Sequence, residues 1–259
     1  DADIKVYPSI QKLPHIELHK IDTAQTAVAR MHCNEKPFDD ARVRKAMRLA
    51  IDCGAVAKIA YGELGTPAQH HHVSPVHPEF VDMPMARDLE AAKKLLADAG
   101  HPDGIDVELH AKKDPDWEPT ACQAMVQQWA EAGIRVKLTV LPSAQFWDVW
   151  TKVPFGFTTW THRPLGTMTL ALAYRTGVPW NESDYSNPEF DKLLDQAEGT
   201  LDVEARRKIM AELEHIMQED GPIVQPIWRK VGTAFDSRVQ GVRMHPTAYI
   251  FGWELAISA

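Results

Sequence analysis

Apolar residues follow two different spacings along the chain, one typical of helices and one typical of strands. Helical spacing, with an apolar residue every three or four positions, marks three segments of the first half: 39–52, 88–99 and 117–132. Strict alternation of apolar and polar residues marks three others: Ile16–Lys20, Ile105–Leu109 and Ile134–Val140. From residue 88 to residue 161 the two spacings take turns. We therefore predict an α/β fold with a mixed sheet flanked by helices.

The segment 36–52 carries the strongest local signals of the sequence. Pro37 restricts the backbone where the helix is entered, and Asp39 or Asp40 can accept hydrogen bonds from its first free N–H groups. One apolar stripe follows at helical spacing: Val43, Met47, Ala50 and Ile51. We predict a capped amphipathic helix here and a second short helix over Cys53–Tyr61.

The remaining segments complete the predicted order of elements. The other predicted helices are 143–150, 167–175, Asn187–Glu198 and Asp202–Glu219. The other predicted strands or extended segments are Thr26–Met31, 155–161, Ile223–Trp228, Gly232–Phe235 and Tyr249–Leu255. Glycine and proline interrupt residues 62–86 so often that we predict a loop there.

Composition narrows the class of protein. The 259 residues are 44% hydrophobic, enough for a sizeable core, and 28 Lys and Arg against 36 Asp and Glu give a net charge of −8. Without a basic run, nucleic acid is not an expected partner. The three cysteines, Cys33, Cys53 and Cys122, lack the spacing of a metal site. They are either buried and free, or Cys33 and Cys53 form one disulfide in an oxidising compartment.

Three sequence blocks resemble one known family. Residues 36–52, KPFDDARVRKAMRLAID, closely resemble the segment PFDDVRVRQAL-x-x-AID of the family 5 extracellular solute-binding proteins, the peptide, dipeptide and nickel receptors of ABC importers. ARDLEAAKKLLADAG, starting at Ala86, is similar to DPEKAKKLLAEAG, and Leu89 stands where that pattern has proline. Residues 184–228 resemble the family's tail block. The resemblance covers essentially the whole chain.

The resemblance implies a domain organisation. Members fold as two lobes around a cleft, and the segments present here correspond to a lobe of the periplasmic-binding-protein type II class. Residues 1–34 are then an opening segment with hinge-crossing strands, and 35–222 the second, C-terminal ligand-binding lobe. Residues 223–259 are a returning crossover strand and the C-terminal segment. The N-terminal lobe is expected to be absent from this chain.

The same resemblance implies a binding function. We expect the substrate-binding component of an ABC importer, which captures a peptide or other small solute for the permease of the inner membrane, in the periplasm or lipid-anchored outside the cell. Neither enzymatic activity nor a cofactor is expected, and the sequence has no G-x-S-x-G elbow, phosphate loop or G-x-G-x-x-G. The alternatives are a nickel or haem receptor on the same fold and the effector-sensing domain of a regulator.

Arg163 gives the most specific indication of a ligand. In the peptide receptors that the chain resembles, the block after the fifth strand is W-x-G-D-Y-P-D-P, and its aspartate pairs with the ammonium group of the peptide. The corresponding block here is Trp160-Thr161-His162-Arg163. A guanidinium binds carboxylate or phosphate and not ammonium. We therefore predict an anionic group on the ligand or a peptide bound in a different register, unless Arg163 pairs within the lobe and Trp160 belongs to the core.

Further candidates depend on weaker signals. His162 lies in the same block, Trp180 and Asn181 follow a Gly-Val-Pro turn, and Arg30 precedes a predicted crossover. Each has a structural alternative: solvent exposure, loop packing or a strand-edge cation. The run 70–72 of three histidines suggests either a metal site or a surface loop near the mouth of the cleft. Adjacent side chains do not readily converge on one ion, so we predict no metal ligands.

Overall fold

The computed structural model describes residues 6–258. This range contains nine α-helices: α1 (Tyr7–Ile10), α2 (Ala41–Leu49), α3 (Cys53–Tyr61), α4 (Leu89–Asp98), α5 (Trp117–Glu131), α6 (Ser143–Val149), α7 (Gly166–Ala173), α8 (Pro188–Gly199) and α9 (Val203–Glu219). It contains eight strands: β1 (Ile16–Met31), β2 (Gly65–Pro67), β3 (Ile105–Lys112), β4 (Ile134–Leu141), β5 (Phe155–Trp160), β6 (Ile223–Asp236), β7 (Val239–Gln240) and β8 (Ala256–Ile257). Residues 1–5 and 259 of the predicted opening and C-terminal segments lie outside the described residues.

Six strands form one mixed sheet in the order β2-β6-β1-β5-β3-β4. β3 runs parallel to β4 and β5, whereas β1 pairs antiparallel with both β5 and β6. β7 and β8 form a separate antiparallel pair. The predicted mixed sheet flanked by helices is confirmed.

Two hydrophobic clusters cover the two faces of this sheet. Along β5, Phe155 and Phe157 pack in the cluster that holds α2, α3 and α5, whereas Trp160 packs in the cluster that holds α7, α8 and α9. The alternation follows from the twofold repeat of a strand. A strand buried on both faces has an almost continuous apolar sequence, which explains why residues 155–160 do not alternate in polarity.

Two buried arginines of α2 bind the C-terminal end of α9. Arg48, fully buried, donates from Nε to the carbonyl of Gln218 (2.9 Å) and from its two Nη atoms to the carbonyls of Glu219 and Gly221. Arg44 donates to the carbonyl of Asp220 (2.7 Å) and to its carboxylate (2.6 Å). These carbonyls have no partners inside a helix, so the arginines act as a C-cap supplied by another helix.

The helix starts agree with the sequence prediction. Asp40, Asp52, Asp88 and Asp202 each accept a hydrogen bond from a backbone N–H of the following helix, and so does Asn187. At Asp40 a short polar residue before an apolar stripe was the signal for the start, and at all five residues the geometry is that of an N-cap.

Several segments differ from the prediction. The alternating run 16–20 and the segment 26–31 are one strand, β1, interrupted by a register shift between Ile21 and Gln25. The predicted segments Ile223–Trp228 and Gly232–Phe235 are likewise one strand, β6. β2 lies inside the predicted loop 62–86 and pairs with β6. Tyr249–Leu255 is not extended: it contains a 3-10 helix at Gly252–Glu254, and its aromatic rings pack on one another, Tyr249 to Phe251 at 5.1 Å.

The histidine run 70–72 is buried, and its expected position on a surface loop is wrong. His70 accepts from the backbone N–H of Gln225 (2.9 Å), His71 contacts Gln69 (3.1 Å), and His72 contacts the hydroxyl of Tyr174 (2.5 Å). Burial lowers the pKa of all three imidazoles to about 3, so they are neutral at physiological pH. They belong to the core.

The three cysteines are free, so the proposed Cys33–Cys53 disulfide is not formed. Cys53 lies 3.4 Å from Nε2 of His70, inside the core. Burial raises the pKa of Cys33 to about 11 and that of Cys53 to about 12, which leaves both thiols protonated and unreactive at neutral pH.

Replacing Arg48 tests the cap on α9. We expect Arg48→Met to lower the free energy of unfolding by about 3 kcal/mol, because the carbonyls at the end of α9 lose their buried donors. Urea denaturation measures the change. Arg42→Met is the matched control on the same helix, since Arg42 is half exposed, and its effect should be much smaller. Equal effects of the two substitutions would contradict the capping role.

The buried histidines should make the folded protein less stable in acid. Histidine in the unfolded chain titrates near 6.5, whereas the pKa of folded His72 is about 3. The unfolded state therefore binds more protons, and stability falls as the pH drops from about 6.5 towards 3. The free energy of unfolding of the wild type should fall between pH 7 and pH 5. We expect this fall to be about 2 kcal/mol smaller in His72→Phe.

The measurement is the free energy of unfolding in urea at the two pH values. The side chain of His215 is exposed, so His215→Phe is the control for the replacement of a histidine by phenylalanine outside the core. A variant at position 72 with the same pH dependence as the wild type would show that burial of this imidazole does not contribute to acid sensitivity.

Candidate ligand-binding site

The carboxyl ends of β3, β4 and β5 lie at one edge of the sheet, where ligands of α/β proteins commonly bind. The turn that follows β5, residues 161–165, places Thr161, His162 and Arg163 at this edge. The register shift of β1 lies beside it, because the backbone N–H of Ala24 donates to Nδ1 of His162 (3.0 Å). We call residues 160–163 and Trp180 the β5-end site.

The guanidinium of Arg163 has hydrogen-bonding capacity to spare. Its Nη1 atom donates to the hydroxyl of Thr161 (2.7 Å) and to the carbonyl of His162 (3.0 Å), both within its own turn. Within residues 6–258 it forms no ion pair with a carboxylate. The side chain is half-buried, which weakens screening by water. An anion at this edge would therefore find an uncompensated, fork-shaped donor.

Two histidines hold the turn around Arg163 in place. His77 accepts from the N–H of Ser74 at Nδ1 (3.0 Å) and donates from Nε2 to the carbonyl of Arg163 (2.9 Å). This tautomer is neutral, and burial lowers the pKa of His77 to about 4. Burial also lowers the pKa of His162. Sequence patterns gave no indication of His77, since it lies in a Pro-rich loop far from residue 163.

Trp160 and Trp180 are in contact but differ in exposure to solvent. Trp160 is buried, and its Nε1 donates to Oε1 of Glu182 (2.9 Å). Its ring meets that of Trp180 edge to face, with centroids 6.1 Å apart and an interplanar angle of 66°. Trp180 is 47% exposed. A ligand at this edge could touch Trp180, whereas Trp160 supports it from below.

Asn181 organises the loop that carries Trp180. Its amide nitrogen donates to the carbonyls of Arg175 (3.1 Å) and Tyr185 (2.8 Å), and its oxygen accepts from the hydroxyl of Ser183 (3.0 Å). Both ends of the side chain are engaged within the loop, so the structure does not bring Asn181 into the β5-end site.

Arg30 is fully buried and lies away from this surface. Its Nε is 3.7 Å from Oε2 of Glu182, and its Nη atoms donate to the carbonyls of Trp150 and Val153. Burial lowers the pKa of Arg30, and burial raises that of Glu182. Glu182 thus links Arg30 to Trp160, and no sequence motif indicated this connection.

Among residues 6–258, no group of three or more His, Cys, Asp or Glu side chains is arranged to hold an ion. The same part of the chain contains no helix with the length and apolar character needed to cross a membrane.

Comparison with known proteins agrees with this architecture. The sequence model for bacterial extracellular solute-binding proteins, family 5 Middle, matches residues 2–205. The glutathione-binding protein GsiB of Salmonella choleraesuis is 25% identical over 256 residues, 92% of this chain and 49% of GsiB. Heme-binding protein A of Haemophilus influenzae is 26% identical over 276 residues, 96% of this chain and 48% of that protein.

Solved structures extend the similarity to the fold. The periplasmic binding protein DppA of Helicobacter pylori, in complex with the peptide STSA, superposes with a TM-score of 0.83 at 20% identity, over 99% of this chain and 52% of DppA. The chain spans about half the length of the curated relatives it matches. Its fold is that of a periplasmic-binding-protein type II lobe, and the chain belongs to family 5 of the bacterial extracellular solute-binding proteins.

Proposed function

We propose that this chain is the second lobe of the substrate-binding component of an ABC importer and that it captures a carboxylate-bearing peptide or small solute. The observation that carries the proposal is the uncompensated guanidinium of Arg163 at the carboxyl edge of the sheet. It sits where α/β ligands bind, in a chain of a solute-binding family. Capture without chemistry is sufficient for this function.

The chemistry of the relatives' named ligands is compatible with Arg163. Glutathione, haem and the peptide STSA, named for GsiB, Heme-binding protein A and DppA, all carry at least one carboxylate. A guanidinium can accept such a group through two parallel hydrogen bonds. The shared chemistry supports an anionic ligand here without selecting among these compounds.

Closure of two lobes around the ligand would couple ligand binding to recognition by the permease. β1 and β6 pair over most of their length, and their outer ends, 16–21 and 231–236, extend past the register shift of β1. We propose that these ends cross the hinge to a lobe that this chain does not supply. Ligand that contacts both lobes favours the closed form, which the permease of the inner membrane recognises. The protein would act in the periplasm or lipid-anchored outside the cell.

Removing the guanidinium tests the proposed anchor. In the full-length protein that contains this chain, we expect Arg163→Ala to weaken binding of a carboxylate-bearing ligand at least tenfold, the effect of one lost charge-assisted hydrogen bond. A thermal-shift screen of peptides, amino acids, sugars and dicarboxylates finds the ligand, and isothermal titration calorimetry measures its affinity.

Arg175→Ala serves as the control, since Arg175 is paired with Asp195 and Glu198 on the helical side of the lobe. It should leave the affinity unchanged. Equal affinities of the wild type and Arg163→Ala would be compatible with a receptor function but would exclude Arg163 as the anchor of the ligand.

The two-lobe mechanism makes a separate prediction for this chain by itself. One lobe supplies only part of the contacts, so we expect the 259-residue chain to bind the same ligand at least a hundredfold more weakly than the full-length protein. Calorimetric titration of both proteins provides the comparison. An affinity of the chain alone within tenfold of that of the full-length protein would contradict the mechanism.

A further inference from the structure

A second group of side chains lies at the same edge of the sheet as Arg163. Lys112 ends β3, Trp147 lies on α6 just after β4, and Thr159 precedes the last residue of β5. Nζ of Lys112 is 5.2 Å from the ring centroid of Trp147 and 3.2 Å from the hydroxyl of Thr159. These contacts make a continuous row from α6 to the strand that carries the β5-end site.

The cation in this row already has a partner within the protein. Lys112 is 5% exposed, and its Nζ lies 2.7 Å from Oε1 of Glu118, which is 1% exposed. Burial raises the pKa of Glu118 to about 7, and the buried ammonium is engaged by this carboxyl group and not free to bind a ligand. Arg163, in contrast, has no carboxylate partner in the described part of the chain.

Trp147 is the exposed member of the row. Its side chain is 45% exposed, yet it is held by the ammonium of Lys112 and by an edge-to-face contact with Trp150, with centroids 5.7 Å apart. A large ring fixed in this way presents apolar surface with little loss of side-chain entropy on binding. Its location beside an ammonium that is already engaged within the protein suits an uncharged, apolar group.

We propose, as an extension of the proposed function, that Trp147 forms a second subsite. It receives an aromatic or bulky apolar group of the same ligand whose anionic group binds Arg163. β5, β3 and β4 are neighbours in the sheet, and two strand spacings of about 4.8 Å plus the side chains put the two contacts roughly 10–15 Å apart. An extended peptide covers that distance with about three or four residues.

The ligand class is thus an elongated molecule with two unlike ends. A short peptide with a free carboxylate and one aromatic side chain is the simplest example. A dicarboxylate or a single amino acid reaches only the β5-end site.

The test uses the full-length protein and four probes of equal charge and length: Ala-Ala-Ala, Phe-Ala-Ala, Ala-Phe-Ala and Ala-Ala-Phe. Calorimetry should show that at least one phenylalanine peptide binds roughly fivefold to tenfold more tightly than trialanine, the gain from one buried aromatic contact. Trp147→Ala should abolish this preference, and Trp147→Phe should retain most of it. Trp253→Ala, which removes another exposed tryptophan, should preserve the preference.

The outcomes separate this subsite from the anchor at Arg163. Loss of the preference in Trp147→Ala, with no effect of Arg163→Ala on any peptide, would uphold the subsite and reject the anchor. A preference that persists in Trp147→Ala, or equal binding of all four peptides by the wild type, would overturn the subsite alone. Failure of the wild type to bind any of the four would contradict both.

Discussion

The contact between α2 and the C-terminal end of α9 fixes the geometry on which the rest of the lobe depends. Arg44 and Arg48, one helical turn apart, donate to the carbonyls of residues 218–221. β6 begins immediately after this point, at Ile223, and pairs with β1. A shift at the end of α9 would therefore displace the strand that lies beside β1 and, through β1, the strand β5 that leads to Arg163. Buried guanidinium groups in such a place are costly to desolvate, and they persist because each carbonyl they bind would otherwise be unsatisfied.

Short, local contacts connect the candidate site to β1 and to the buried loop that carries His77. β1 carries the register shift whose Ala24 holds His162, and the buried loop with His77 holds the carbonyl of Arg163. Backbone contacts thus fix the turn, while the guanidinium stays available. In a similar way, the carboxylate of Glu182 holds the ring of Trp160 beneath the ring of Trp180. A preorganised turn of this kind loses little entropy when a ligand binds.

Sequence patterns predicted the elements whose signals are local. The N-caps at Asp40 and Asp202 and the alternating strand β4 depend on residues close in sequence, and the structure has them where expected. Burial of the histidine run 70–72 was not predictable, because it depends on Gln225 and Tyr174, more than 100 residues away. The same limit applies to the site: position 163 was identified through a resemblance, but His77 and Glu182 act through contacts that no spacing reveals.

Ligand capture as proposed here requires that Arg163 faces the ligand and not a carboxylate of the protein. A crystal structure of the full-length protein with its ligand bound measures this directly. We expect an anionic oxygen of the ligand within about 3 Å of the Arg163 guanidinium, at the carboxyl edge of β5. A carboxylate from another part of the protein paired with Arg163, with the ligand elsewhere, would contradict it.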